Sequence, residues 1–166
     1  MRIALIGMPT AGKSTISNLI SVKCGLDVVD LDGLLEKRFN KSLQSYINEQ
    51  GERKFIKEEN EVMLNTEYPE NCVISTGGSV IYAKEGMGHF KKLGIKIFYL
   101  SVPFEVLEKR LSSQRDVRAI VMNGAKNWRE LLTVRYKMYH YYSDEIIFCE
   151  GKTEEKIVEE IMSKVK

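Results

Sequence analysis

Short, unbroken apolar runs alternate along the chain with segments whose apolar residues recur every three to four positions. Ile3-Ala-Leu-Ile-Gly7 is a run of the kind expected for a strand buried on both faces. Residues 13–24 follow with Ile16, Leu19 and Ile20 at helical spacing, and Val28-Val29 forms a second short strand ending at Asp30. A charged, helical stretch then runs from about 34 to 66, broken near Asn40 and at Gly51. The alternation resumes with a strand over 72–76, a helix over about 84–93 and a strand over 95–100. Pro103 sits at the first turn of a helix reaching about Ser113. Residues 114–127 show no period and predict a loop. Helix 128–142, strand 145–149 and a last helix opened by Thr153 complete the series, with Ile157, Val158, Ile161 and Val165 on one face.

Alternation of this kind predicts an α/β fold in which a five-stranded parallel sheet carries helices on both faces. A chain of 166 residues fits one domain, 1–166. The helical stretch between strands two and three is long for a simple crossover. It is expected to form a cap over the carboxyl edge of the sheet at about 33–66, with a lid at about 112–126.

Charge and cysteine content narrow the function classes. Lys and Arg number 25 against 23 Asp and Glu, a net charge of +2, which excludes nucleic-acid or membrane binding driven by bulk charge. Cys24, Cys72 and Cys149 are scattered and form no C-x-x-C pair, so they are expected to be reduced, semi-buried thiols. No apolar run reaches the roughly 18 residues of a membrane span. The apolar start is too short for a secretory signal and leads into Gly-Lys-Ser-Thr. A cytoplasmic, monomeric protein with neither a nucleic-acid nor a membrane partner is the expectation. His89 and His140 stand apart and read as surface or packing residues.

The strongest chemical signal is Gly7-Met8-Pro9-Thr10-Ala11-Gly12-Lys13-Ser14, which satisfies G-x-x-x-x-G-K-[ST] directly after a buried strand and at the opening of a helix. Glycines let such a loop turn its N–H groups toward phosphate oxygens, and the helix start adds partial positive charge. Lys13 would reach the β- and γ-phosphates of ATP and Ser14 would ligate Mg²⁺, with Gly7, Thr10, Ala11, Gly12 and Thr15 completing the cradle. No guanine-reading Asn-Lys-x-Asp is present, and the small size points to a kinase of a small metabolite. Asp30 and Asp32 flank Leu31 after the second strand, where a spacing of two on extended backbone puts both carboxylates on one side. One could serve Mg²⁺ while the other orients and deprotonates an attacking hydroxyl. The competing reading makes Asp32 a helix N-cap.

The phosphate loop, Val29-Asp30-Leu31-Asp32, Gly51-Glu52 with Phe55 and Glu59, Ser75-Thr76-Gly77-Gly78, and Arg135 to Tyr139 together resemble the shikimate kinases over essentially the whole chain. The resemblance implies a P-loop kinase fold, Mg²⁺ with ATP as co-substrate, and phosphoryl transfer to a hydroxyl of shikimate. It implies that Asp32 contacts the acceptor hydroxyls as base or orienter and that Asp30 acts in the Mg²⁺ shell. Gly77 and Gly78 let the acceptor ring approach the backbone. Arg135 pairs with the acceptor carboxylate, a task suited to a guanidinium fork. Arg118 closes from the lid onto the phosphates, and Arg110 lies against adenine.

Three positions depart from that pattern. Ile56 stands where the family usually has a carboxylate-gripping Arg, a loss of about 2–3 kcal/mol in acceptor binding. Arg53, Lys54 and Lys57 are the neighbouring cations available to compensate. Ser79 replaces a third glycine, and Arg118-Ala119-Ile120-Val121 replaces Arg-Pro-Leu-Leu. Two alternatives follow: a kinase of the same fold with another acceptor, and a nucleotide-binding regulatory protein without catalysis.

Overall fold

The computed structural model describes residues 1–113 and 119–165. Five strands, β1 (Arg2–Ile6), β2 (Asp27–Asp30), β3 (Cys72–Ser75), β4 (Lys96–Ser101) and β5 (Glu145–Phe148), pair in parallel in the order β2-β3-β1-β4-β5. Ile3, Ala4, Leu5 and Ile6 have no exposed surface, as the unbroken apolar run requires of a central strand. Thr76 donates its hydroxyl to the Leu5 carbonyl at 2.8 Å and ties the end of β3 to β1.

The helices are α1 (Lys13–Cys24), α2 (Leu31–Phe39), α3 (Leu43–Gln50), α4 (Glu52–Asn65), α5 (Lys84–Lys92), α6 (Phe104–Ser113), α7 (Trp128–Tyr142) and α8 (Glu154–Val165). Right-handed crossovers put α1 and α8 on one face of the sheet and α4, α5 and α7 on the other. Connections from β1 and β3, neighbours in the sheet, leave toward opposite edges. Their carboxyl ends therefore flank a switch point, the place where open α/β sheets take ligands.

Local chemistry sets the helix ends. Gly12 (φ 92°) precedes α1 with no side chain, and Gly25 (φ 69°) ends it by donating its N–H to Ser21 O. Ser42 caps α3 by accepting from Ser45 N, and Asn127 caps α7 by accepting from Glu130 N. Phe39 stacks on Tyr46 with ring centroids 3.6 Å apart, and both rings meet Phe55, which locks α2, α3 and α4 together.

Several expectations shift. Helix α2 starts at Leu31, about three residues before the predicted boundary, because Leu31 is itself a core residue. Asp32 consequently sits in the first helical turn rather than on extended backbone. The N-cap position belongs to Asp30, whose side chain makes no capping bond, so the capping reading of Asp32 fails. A one-turn 3₁₀ helix, Val80–Tyr82, is too short for a periodicity to announce. The cysteines are free, but Cys24 is exposed, Cys72 is buried and only Cys149 is intermediate. Among the described residues no helix is long and apolar enough to cross a membrane.

Candidate active site

A cavity of about 590 Å³ opens over the carboxyl ends of β1, β2 and β3. Its floor is the phosphate loop. Thr10 (φ 68°) and Gly12 take left-handed backbone conformations that turn the loop back on itself, so the first N–H groups of α1 face the cavity with no side chain in front of them. Lys13 is buried, and its Nζ donates to the carbonyls of Gly7 and Met8, both at 2.9 Å. Ser14 Oγ lies 3.4 Å from Ser75 Oγ at the end of β3. Thr15, Asp30 and Asp32 line the same cavity.

Arg110 on α6 donates from Nη1 to the Thr10 carbonyl at 3.1 Å, which holds the guanidinium beside the loop. It also borders an adjoining groove of about 180 Å³ walled by Val102, Pro103, Val106 and Ile157. A flat cation facing aliphatic side chains suits a planar ring. Cys149 borders this groove too, and burial pushes its thiol up to about 11.

On the far side the cavity narrows into a recess bordered by Asp32, Phe55, Gly77, Gly78, Ser79 and Arg135. The two glycines are required by space. A Cβ on Gly77 would lie 2.8 Å from both Asp32 Oδ1 and Glu59 Oε1. One on Gly78 would lie 2.6 Å from the Pro9 ring and 2.9 Å from Arg135 Nη1. Tyr139 donates to the Gly78 carbonyl at 2.6 Å and stacks on Tyr99, fixing the strand end against α7.

Arg135 has no exposed surface. Its Nη2 donates to the Val121 carbonyl and its guanidinium lies over the Tyr82 ring, 5.4 Å from the centroid. Nε and Nη1 make no hydrogen bond among the described residues. Such donors are costly to bury unsatisfied, and an anionic or carbonyl oxygen in the recess would satisfy them.

Glu59, which the sequence offered only as part of the family resemblance and without a role, is buried beside the recess. It is 1% exposed, accepts from Ser79 Oγ at 2.8 Å through Oε2, and leaves Oε1 without a hydrogen bond among the described residues. Burial, reinforced by the nearby Asp32 carboxylate, pushes its carboxyl up to about 8 against the smaller opposing effects of Ser79, Arg135 and Lys13. Two signals could have found it: its place four residues after Phe55 on the buried face of α4, and Ser79 where a glycine was expected. Glu52 likewise had no role assigned from the sequence. Its carboxylate accepts from Met122 N at 2.6 Å and Asn123 N at 2.8 Å, pinning residues 122–123 to the start of α4.

The structure thus brings together Gly7, Thr10, Ala11, Gly12, Lys13, Ser14, Thr15, Asp30, Asp32, Gly77, Gly78, Arg110 and Arg135 around one cleft and its extensions. Arg118, Arg115 and the expected closing part of the lid lie outside the described residues. Arg53, Lys54 and Lys57 are exposed, and none borders the recess. Lys54 instead donates to Gln50 at 2.6 Å. Among the described residues no neighbouring cation on α4 replaces the missing guanidinium there; Ile56 itself is half-buried against the core.

The donor set fits Mg²⁺. A hydroxyl and a carboxylate, Ser14 and Asp30, flank the phosphate loop, and Mg²⁺ commonly takes one or two such hard oxygen ligands together with substrate phosphates and water. Among the described residues no cluster of three or more His, Cys, Asp or Glu is arranged to hold a metal by itself.

A family model described as shikimate kinase matches residues 9–166. Threonine synthase-like 1 of Homo sapiens is 34% identical over 166 aligned residues, which take in 99% of this chain and 22% of that protein. The chain therefore spans about a fifth of the length of these curated relatives. Shikimate kinase of Clostridium botulinum (strain 657 / Type Ba4) is 34% identical over 158 residues, covering 94% of this chain and 91% of that one. The crystal structure of shikimate kinase from Aquifex aeolicus superposes with a TM-score of 0.81 at 32% identity, over 99% of this chain and 96% of that chain.

Proposed function

The chain belongs to the shikimate kinase family, and from that premise we propose that it transfers the γ-phosphoryl group of ATP to a hydroxyl of a small metabolite, with shikimate the first acceptor to test. The observation that carries the reading is that one cleft joins a phosphate-binding loop to a recess bordered by Asp32, Gly77, Gly78 and Arg135. Nucleotide phosphates would lie on the loop N–H groups and Lys13, with the base in the groove beside Arg110. Ser14 and Asp30 would hold Mg²⁺, which supplies charge neutralisation on the phosphates when bound.

Asp32 orients the acceptor hydroxyl and takes its proton as the oxygen attacks phosphorus in line. Lys13 stabilises negative charge on the transferring group, and Arg118 is assigned the same task from the lid. Arg135 supports an acceptor that carries one anionic or carbonyl oxygen, because its two unsatisfied donors meet the recess. Ile56 and the outward-facing Arg53, Lys54 and Lys57 favour one second reading, a same-fold kinase whose acceptor is held by a single cation.

A coupled ADP-release assay separates these readings. Turnover with shikimate at ordinary rates supports the first. Turnover only with another polyol or a nucleoside selects the second. Nucleotide binding without turnover on any acceptor removes both and leaves a regulatory nucleotide-binding role.

A further inference from the structure

Arg135 is a buried cation that enters no ion pair among the described residues. The buried carboxyl that faces it, Glu59, accepts from Ser79 instead. A guanidinium so placed is costly unless something compensates its charge. What the fold supplies is an aromatic face: the guanidinium carbon lies over Tyr82, 5.4 Å from the ring centroid, within the range at which a ring quadrupole attracts a cation. Tyr82 belongs to the turn that also provides the recess glycines. After Gly77 and Gly78 the Tyr82 N–H donates to the Ser79 carbonyl at 2.8 Å, closing the 3₁₀ turn that sets the ring against α7. The Tyr82 hydroxyl is buried and makes no hydrogen bond among the described residues, so the ring is the part of this side chain that meets a partner. Tyr139, one turn along α7 from Arg135, is committed elsewhere, its ring to Tyr99 and its hydroxyl to the Gly78 carbonyl.

The choice of a ring over a carboxylate has a chemical consequence. A carboxylate would neutralise Arg135 by accepting from its N–H groups, the same donors that an acceptor oxygen needs. A π face offsets the charge without taking those hydrogen bonds. Building on the acceptor-kinase reading, we propose that Tyr82 is a positioning residue for the acceptor, its ring holding the Arg135 guanidinium so that Nε and Nη1 stay free for an anionic or carbonyl oxygen in the recess.

The Val121 carbonyl fixes the remaining nitrogen, Nη2, so ring and carbonyl together define where the guanidinium sits. The alternative partner is Glu59, whose Oε1 has no hydrogen bond among the described residues. Weakening the ring's hold lets that carboxyl compete for Arg135, and the acceptor then binds only the fraction of molecules in which the guanidinium is still in place.

Two measurements on the full chain test the assignment. The first changes the electrostatics of the ring at nearly constant shape, by placing phenylalanine and its mono-, di- and trifluorinated analogues at position 82. Fluorine withdraws π density from the ring face, so the cation is held less firmly with each addition. Y82F is expected to keep the KM for shikimate within about twofold, and KM is expected to climb with each fluorine, to roughly 30-fold for the trifluoro ring, while kcat and the KM for ATP hold. A KM indifferent to fluorination overturns the proposal, and so does an equal loss in kcat or in the KM for ATP, which marks a role in the fold alone. The second measurement needs no acceptor. The Arg135 Nε–H NMR signal, identified by its loss in R135K, is expected upfield of the ordinary arginine range under the Tyr82 ring current, to stay there in Y82F and to return to that range in Y82L. A signal in the ordinary range in the unsubstituted chain overturns the proposal whatever the acceptor. Absence of shikimate turnover in the unsubstituted chain instead refutes shikimate as the acceptor, and the NMR signal still decides whether Tyr82 holds Arg135.

Discussion

On the β1 side of the cleft the polar groups are mostly main chain: loop N–H groups, a helix start and one lysine whose ammonium is held by two backbone carbonyls. On the β3 side they are side chains, the half-buried Asp32 and the buried Glu59, Ser79 and Arg135, packed around two glycines that leave no space for a methyl group. Backbone recognition depends on loop conformation and tolerates many side chains. Side-chain recognition depends on which residues are present, and one substitution can change the acceptor. The nucleotide half is thus conservative by construction, and the acceptor half is where members of a fold can diverge.

The sharpest way to break this contrast is at Lys13. K13A is expected to lower kcat about a thousandfold, with acceptor binding retained, as measured by ADP release and by calorimetry with shikimate. Near-normal turnover would remove the phosphate loop from the chemistry.

Next in size is a stability effect confined to the acceptor half. Glu59 titrates near 8 in the folded chain against 4.5 as its reference value, so the native state binds this proton more tightly than the unfolded state. Its contribution to stability is full below pH 4.5 and is lost as pH rises from 4.5 to 8, at up to about 1.4 kcal/mol per pH unit. Comparing urea unfolding at pH 5 and pH 9, E59Q is expected to gain on the order of 4 kcal/mol relative to the unsubstituted chain. Parallel pH profiles would mean that Glu59 is ionised throughout.

R135K keeps the charge and loses the fork. Its KM for shikimate is expected to rise roughly 30- to 150-fold, corresponding to about 2–3 kcal/mol, while KM for ATP stays within a few-fold. Equal losses for both substrates would show that Arg135 acts through the fold alone. The smallest effect belongs to I56R. A guanidinium one turn from Glu59 is expected to lower KM for shikimate about tenfold and to draw the Glu59 midpoint downward. An unchanged KM would mean that the acceptor carboxylate is held elsewhere.

How much of this was legible in the sequence follows the same division. The strands, the phosphate loop and α1 were readable because an unbroken apolar run, two glycines and a Lys-Ser pair each carry a local mechanism. The boundary of α2 was misplaced because Leu31 is buried by tertiary packing, which a local pattern does not encode. Arg135 was readable as a candidate, but not as a residue without exposed surface. Its helix is amphipathic in a way that also fits an outward-facing arginine. Glu59, Ser79 and Glu52 owe their roles to partners 20 to 71 positions away, and such contacts leave no trace in a spacing rule.

The placement of β1 has a consequence for how the chain reaches this state. Of these five strands the central one is made before its partners, which arrive late: Ile3 pairs with Val73 on one side and Lys96 on the other. During synthesis at about 5–20 residues per second, this most apolar segment waits roughly 4–14 s for its first neighbour in the sheet. The phosphate loop, which hangs on the end of β1, is therefore unsupported on the ribosome until β3 has emerged. Nascent-chain length should set a threshold for nucleotide affinity, because the cradle is assembled by the strands that flank it.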